Sequence, residues 1–109
     1  MGRDTLKTMS KHIYDMDVQL ADESACILFG IKHPDIRRQK RQQTMVEARQ
    51  MIWKILKEIK GFRVCELARL YERDHIAIHC GIKRIGLKVD YDKRLESKYK
   101  IFKARMKQC

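Results

Sequence analysis

The chain has 109 residues and a net charge of +11, and it contains one proline, five glycines and four cysteines. No stretch of about 18 apolar residues is present and residues 1–10 lack the apolar centre of a signal peptide, so we expect no membrane span and a cytoplasmic protein. Residues 1–30 carry three basic and five acidic side chains, a net −2, and the remaining residues therefore carry +13. A basic body of this size is typical of nucleic-acid-binding proteins, although a solvated basic surface has the same composition.

The N-terminal part of the chain divides into a leader, a helix and a basic loop. Residues 1–16 show no clear hydrophobic period, and we interpret them as a leader that could be disordered. We place the folded domain over residues 17–109. From Val18 the apolar residues recur at helical spacing, which predicts a short helix that ends near Gly30. Residues 37–43 are basic and acid-free, and we predict a loop there because they break the apolar pattern.

A long amphipathic helix is predicted next. Thr44 and Glu47 have the spacing of a capping box, which predicts a helix from Thr44 to about Lys60 that Gly61 ends. The apolar residues that form one face of this helix are Ala48, Ile52, Ile55 and Ile59.

Two further helices are joined by a short predicted turn. The first covers about residues 63–71, residues 72–73 make the turn, and Asp74 is a good N-cap. The second covers about residues 75–85, and we expect Gly86 to stop it.

A last helix over about residues 91–107 completes an all-α fold, a small helical bundle that contains a helix-turn-helix. Two helices joined by a short turn can place the second helix in the major groove of DNA. The four cysteines form no C-x-x-C pair, so we expect reduced thiols rather than a metal site.

Basic and polar residues around the long helix are candidates for contacts with the DNA backbone. Arg41 in the basic loop could enter a narrow minor groove, unless the loop is a solvated linker. Arg49, Gln50 and Lys57 could hold phosphates, unless they are ordinary surface charge. Trp53 is interpreted as packing.

The start of the second turn-joined helix is the candidate for reading bases. An aspartate such as Asp74 can accept from cytosine N4, and His75 can donate to an acceptor edge. Asp74 could also be an N-cap alone. Ile76 is apolar on a helix face that we expect to be exposed to solvent. It either contacts a thymine methyl group or packs under the C-terminal helix.

No catalytic motif is present in the sequence. It contains no G-x-x-x-x-G-K-[ST] phosphate loop, no G-x-S-x-G and no H-E-x-x-H. His75, His79 and Cys80 lack a second ligand pair with metal spacing. We therefore expect no enzyme, no metal, no cofactor and no bound nucleotide.

Several short motifs occur in one order at nearly constant spacing. They are Leu28-Phe29-Gly30-Ile31-Lys32, Asp35-Ile36 with Lys40-Arg41, Arg49-Gln50-Met51, Glu66-Leu67-Ala68 with Tyr71, and Arg73-Asp74-His75. This ordered set resembles the DNA-binding C-terminal domain of the bacterial chromosomal replication initiator, the DnaA family.

The resemblance implies sequence-specific binding of double-stranded DNA at short A·T-rich boxes. It implies minor-groove entry by Arg41, base reading by Asp74 and His75, and phosphate contacts. The implied phosphate contacts are Gln50, Lys57, Arg49 and the main chain near Val64.

The chain also departs from this pattern around the turn. Ile76 and Ala77 replace two threonines, which removes two hydroxyl groups from the reading surface. A single Glu72 stands where the family has two glycines, and Cys65 replaces a proline.

These observations predict a nucleoid-associated protein that binds DnaA-box-like sites and regulates replication initiation or transcription without ATPase activity. The alternative is a protein-interaction module that kept the fold, binds an unknown protein partner through the Ile76 face, and binds DNA only through sequence-blind electrostatics.

Overall fold

The computed structural model describes residues 2–32 and 43–108, and it describes side chains over 16–32 and 43–108. The described residues form helices and contain no strand, so the predicted all-α bundle is confirmed. None of the described helices is long and apolar enough to cross a membrane. The helices are α1 (Gly2–Phe29), α2 (Gln43–Lys60), α3 (Val64–Leu70), α4 (His75–Tyr91) and α5 (Lys93–Lys107).

The central helix of the bundle is α2, which packs against α1, α4 and α5. Three residues of its predicted apolar face, Ala48, Ile52 and Ile55, have no exposed surface, and the fourth, Ile59, is partly buried. Burying such a side chain contributes about 1.5–3 kcal/mol, so these stripes drive the packing of the helices. The stripes of the other helices include Val18, Ala21, Ala25 and Phe29 of α1, Ile78 and Ile85 of α4, and Leu95, Phe102 and Met106 of α5.

Two glycines end the first two helices, as predicted. Gly30 has φ 64° and Gly61 has φ 72°, a left-handed conformation that costs glycine little. The amide of Ile31 donates to the carbonyl of Cys26 at 3.1 Å, which closes the end of α1. These ends turn the chain out of α1 and α2.

The starts of α1 and α2 differ from the predictions. Because α1 begins at Gly2, the described backbone of the predicted leader is helical; residues 3–29 contain no proline or glycine to interrupt it. The domain boundary at residue 17 stays a prediction. Because α2 begins at Gln43, Thr44 lies inside the helix, and the predicted capping box is wrong. Glu47 instead pairs with Lys88 of α4, with 3.6 Å between Oε2 and Nζ.

The helix α4 is longer than predicted, because it continues through Gly86 to Tyr91. A glycine inside a helix costs about 1 kcal/mol relative to alanine, which is less than the gain from burying Ile85 and Val89 on either side of it. Asp92 separates α4 from α5 and caps α5 by accepting from the amides of Arg94 at 3.0 Å and Leu95 at 3.5 Å.

The crossing of α4 over α2 is very close at Gly81. A Cβ atom at Gly81 would lie 2.9 Å from Cζ3 of Trp53 and 3.1 Å from Cγ of Gln50. A Cβ atom at Gly86 would meet only Nζ of Lys54, at the ordinary distance of 3.7 Å. Gly81 is therefore the residue that allows the two helices to approach.

The two glycines of α4 provide a matched pair of substitutions. Gly81→Ala is expected to lower the free energy of unfolding by about 1–3 kcal/mol, because the new methyl group overlaps two packed side chains. Gly86→Ala is expected to raise it by up to about 1 kcal/mol, because alanine is the better helix former. Urea unfolding followed by circular dichroism measures both values, and equal effects at the two positions would contradict the close crossing.

Candidate functional site

The helix α3, a turn of residues 71–74 and the helix α4 form one continuous unit. At the start of α3, Oε1 of Glu66 accepts from the amide of Arg63 at 3.0 Å. In the turn, the amide of Arg73 donates to the carbonyl of Ala68 at 2.9 Å. These bonds fix the direction in which α4 leaves the turn.

Glu72 adopts an unusual backbone conformation in this turn. Its φ is 53°, in the left-handed region, which costs a residue other than glycine about 1–2 kcal/mol. The turn therefore keeps a conformation suited to glycine although Glu72, whose side chain is exposed, occupies the position.

Tyr71 anchors the turn to the rest of the bundle. Its hydroxyl donates to Oδ1 of the buried Asp22 at 2.7 Å, and its ring meets the ring of Trp53 edge-on, with 6.2 Å between the ring centroids. The turn is thus attached to both α1 and α2, and Trp53 packs in the core as predicted.

The first turn of α4 presents an exposed face. Asp74, His75, Ile76 and Ala77 are all exposed, and Ile76 is 68% exposed. The alternative that Ile76 packs under the C-terminal helix is therefore wrong. Asp74 occupies the N-cap position, yet its side chain makes no capping hydrogen bond, so capping does not occupy its carboxylate.

Arg49 and Gln50 lie behind α4 rather than on open surface. Each is only 6% exposed, so the alternative that they are ordinary surface charge is wrong. They line a concavity of about 290 Å³ between α2 and α4, which we call the arginine pocket. Its lining residues are Val46, Arg49, Gln50, Trp53, Arg73, Ala77, Cys80, Gly81 and Arg84.

The arginine pocket combines positive charge with unpaired polar atoms. Burial, and then the positive charge of Arg73, lower the pKa of the Arg49 guanidinium below its ordinary value. In the described part of the chain, Oε1 of Gln50 and Nε1 of Trp53 are buried without a hydrogen-bond partner. Buried polar groups are normally paired, so these two atoms are exceptions in the interior behind the arginine pocket.

The structure brings only some of the predicted site residues together. Arg49, Gln50 and Ala77 line the arginine pocket, and Asp74, His75 and Ile76 lie at the adjoining start of α4. Lys57 is exposed on α2, four residues after Trp53, and Val64 is half-buried at the start of α3. Arg41 lies outside the described residues.

Six residues of the arginine pocket were not predicted as site residues: Val46, Trp53, Arg73, Cys80, Gly81 and Arg84. A signal was present in the sequence, since Arg73, Ala77, Cys80 and Arg84 follow one another at helical spacings of four, three and four. The stripe was missed because its first member belongs to the turn and not to the helix.

Comparison with known proteins gives a distant similarity. No protein-family model matches the chain. The chain is 28% identical over 82 residues to proteins named chromosomal replication initiator protein DnaA, from two strains of Campylobacter jejuni subsp. jejuni and one of subsp. doylei. The match covers 74% of this chain but 19% of each relative, so the chain spans about a fifth of their length. This similarity is consistent with a DnaA-like domain.

The strain at Glu72 gives a prediction about stability. Glu72→Gly is expected to raise the free energy of unfolding by about 1 kcal/mol, because glycine adopts the left-handed conformation without steric cost. Glu72→Gln keeps the strained backbone and removes the charge, so it should leave stability nearly unchanged. Chemical unfolding of the two variants distinguishes the effect of backbone strain from the effect of the Glu72 charge. Equal stabilisation by both substitutions would show that the charge is responsible.

Proposed function

We propose that this chain contains a DnaA-like DNA-binding domain in which α3, the turn and α4 act as a helix-turn-helix on double-stranded DNA. The observation that carries this proposal is the position of the arginine pocket directly beside the exposed start of α4. A helix start that offers base-reading groups, next to a concentration of guanidinium groups, suits the groove and the phosphate backbone of a duplex.

The first turn of α4 supplies the base contacts in this proposal. The carboxylate of Asp74 accepts from a base amino group such as cytosine N4, and the imidazole of His75 donates to an acceptor edge. Ile76 and Ala77 present methyl groups to thymine where hydroxyl groups would otherwise form hydrogen bonds. With 17 residues at about 1.5 Å each, α4 is roughly 25 Å long, so its C-terminal half extends beyond the groove.

The arginine pocket receives phosphate in this proposal. Arg49, Arg73 and Arg84 line it, and an anion bound there offsets the mutual repulsion of their positive charges. Lys57 and the main chain near Val64 add phosphate contacts, and Arg41 enters the minor groove; these three assignments are supported by the family resemblance.

The biological role follows from the relatives. Since the similar proteins are named replication initiators, we infer that this chain binds initiator-type boxes and regulates replication initiation or transcription at the nucleoid. The sequence contains no phosphate loop, so we propose that the chain binds DNA without nucleotide, cofactor or metal and catalyses no reaction.

A second candidate function rests on Ile76. An isoleucine that is 68% exposed at the start of α4 also suits a protein contact, and Glu72 adds a negative charge nearby. In that case the chain binds a protein partner, and its DNA affinity is independent of sequence and disappears as salt rises.

Two substitutions distinguish base reading from phosphate binding. Asp74→Ala should lower the affinity for a duplex that carries an initiator box, by about 1–3 kcal/mol for each base pair that is no longer read. It should have little effect on the affinity for a scrambled duplex. Lys57→Ala should weaken binding to both duplexes. It should also reduce the salt slope, which is the slope of log affinity against log salt concentration, by roughly one unit. Fluorescence anisotropy at several salt concentrations measures both quantities.

The matched control is Lys107→Ala, which removes an exposed positive charge from the last turn of α5. It should leave the salt slope unchanged. If Asp74→Ala and Lys57→Ala lose the same factor on both duplexes, the second candidate function replaces the first.

A further inference from the structure

A buried carboxylate of α1 reaches the turn between α3 and α4. Asp22 is 1% exposed, and its Oδ1 atom accepts a hydrogen bond from the hydroxyl of Tyr71 at 2.7 Å. The two residues are 49 positions apart in the chain. A buried carboxylate needs a hydrogen-bond donor at a defined distance, so this bond specifies where the turn lies relative to α1.

The turn that Tyr71 begins is strained. Glu72, the next residue, has φ 53°, and a residue other than glycine keeps such a conformation only where its surroundings hold it. Tyr71 holds one end of the turn, because its hydroxyl is bound to Asp22. At the other end, the amide of Arg73 donates to the carbonyl of Ala68 at 2.9 Å. Without the bond to Asp22, the turn could relax.

The turn also determines how the exposed start of α4 is presented. Asp74 follows Arg73 directly, and its carbonyl accepts from the amide of Ile78 at 3.1 Å, so α4 begins where the turn ends. Base reading needs hydrogen-bonding groups at defined distances and angles, whereas electrostatic attraction to phosphates carries no sequence information. A relaxed turn would therefore impair base reading more than binding to the DNA backbone.

We propose that Asp22 is a positioning residue for base reading: through Tyr71 it holds the strained turn, and the turn holds the start of α4. This inference rests on the proposed function, since it assigns to Asp22 a role in the specificity of that site. Both residues are buried and neither contacts DNA in this account. They contribute to the choice of DNA sequence only through the direction of α4.

Two tyrosines of the bundle provide a matched pair of substitutions. Tyr71→Phe removes the hydroxyl that is bound to Asp22 and keeps the ring. Tyr99→Phe removes a hydroxyl that donates to Oε2 of Glu58, between α5 and α2, neither of which belongs to the helix-turn-helix. Each variant loses one hydrogen bond between two parts of the bundle, so a difference between the variants reports where the lost bond lies.

The first experiment measures the turn without DNA. Hydrogen exchange of the full chain is followed by NMR, and the amide of Arg73 is compared with the amide of Ile31 at the end of α1. Tyr71→Phe should speed exchange at Arg73 about tenfold relative to Ile31, because the turn opens locally. Tyr99→Phe should leave this relative rate unchanged. An unchanged relative rate in Tyr71→Phe would overturn the proposal.

The second experiment measures sequence discrimination. Fluorescence anisotropy gives the affinity of each variant for a duplex that carries an initiator box and for a scrambled duplex. Tyr71→Phe should reduce the ratio of these two affinities about fivefold, and leave the affinity for the scrambled duplex and its salt slope unchanged. Tyr99→Phe should preserve the ratio. Equal reductions in the two variants would show a general loss of stability and would overturn the proposal.

Two further comparisons test the carboxylate and the strain. Asp22→Asn keeps an acceptor oxygen for the Tyr71 hydroxyl, so it should preserve more of the affinity ratio than Asp22→Ala does. In a Glu72→Gly background, Tyr71→Phe should reduce the ratio less, because glycine adopts the left-handed conformation without strain. Equal reductions with Glu72 and with glycine at that position would show that the bond does not act through the strained turn.

The outcomes separate this proposal from the proposed function. A chain that does not discriminate between the two duplexes would overturn the proposed function, and the role of Asp22 in specificity with it, while the exchange rates would still show whether the bond holds the turn. A chain that discriminates between the duplexes, and discriminates equally well after Tyr71→Phe, would overturn the role of Asp22 alone.

Discussion

The close crossing of α4 over α2 at Gly81 is the constraint on which the rest of the structure depends. Because Gly81 has no side chain, the ring of Trp53 and the side chain of Gln50 pack directly against the backbone of α4. A larger residue would push α4 outward, open the arginine pocket and change the direction of the exposed helix start. The pair formed by Glu47 and Lys88 joins the same two helices farther along α4, and Tyr71 attaches the turn to α1.

The same crossing explains why positive charge collects behind α4. Arg49 and Gln50 belong to the face of α2 that α4 covers, so their side chains are buried although both are strongly polar. Burying a guanidinium group costs free energy that an apolar side chain of similar size would not. Besides this burial, the positive charge of Arg73 lowers the pKa of the Arg49 guanidinium further.

Much of the fold could be predicted because it depends on local patterns. The apolar stripes of α2, α4 and α5 follow from helical spacing, and Gly30 and Gly61 follow from the conformation that ends a helix. The length of α4 could not be predicted from the same rule, because Gly86 lies in a helix whose flanking residues are buried. The prediction of a capping box at Thr44 was wrong for a related reason. The spacing of Thr44 and Glu47 fits a capping box, but the helix already begins one residue earlier, at Gln43.

The candidate site was predictable in part. The family resemblance indicated Arg49, Gln50 and the start of α4, and the structure brings these residues to one side of the bundle. It did not indicate the burial of Arg49 and Gln50 or the contribution of Arg84, because these depend on how far apart two helices lie. Gly81 sets that distance. Because glycine has no side chain, it does not contribute to the hydrophobic periodicity from which a buried helix face is predicted.

The measurement that tests the central claim most directly is selection from a random library of duplexes at near-physiological salt, followed by sequencing of the bound DNA. If the start of α4 reads bases beside the arginine pocket, the selected duplexes will share a short A·T-rich box with a defined core. If no sequence is enriched and binding disappears as salt rises, the basic surface is only electrostatic and the claim is wrong.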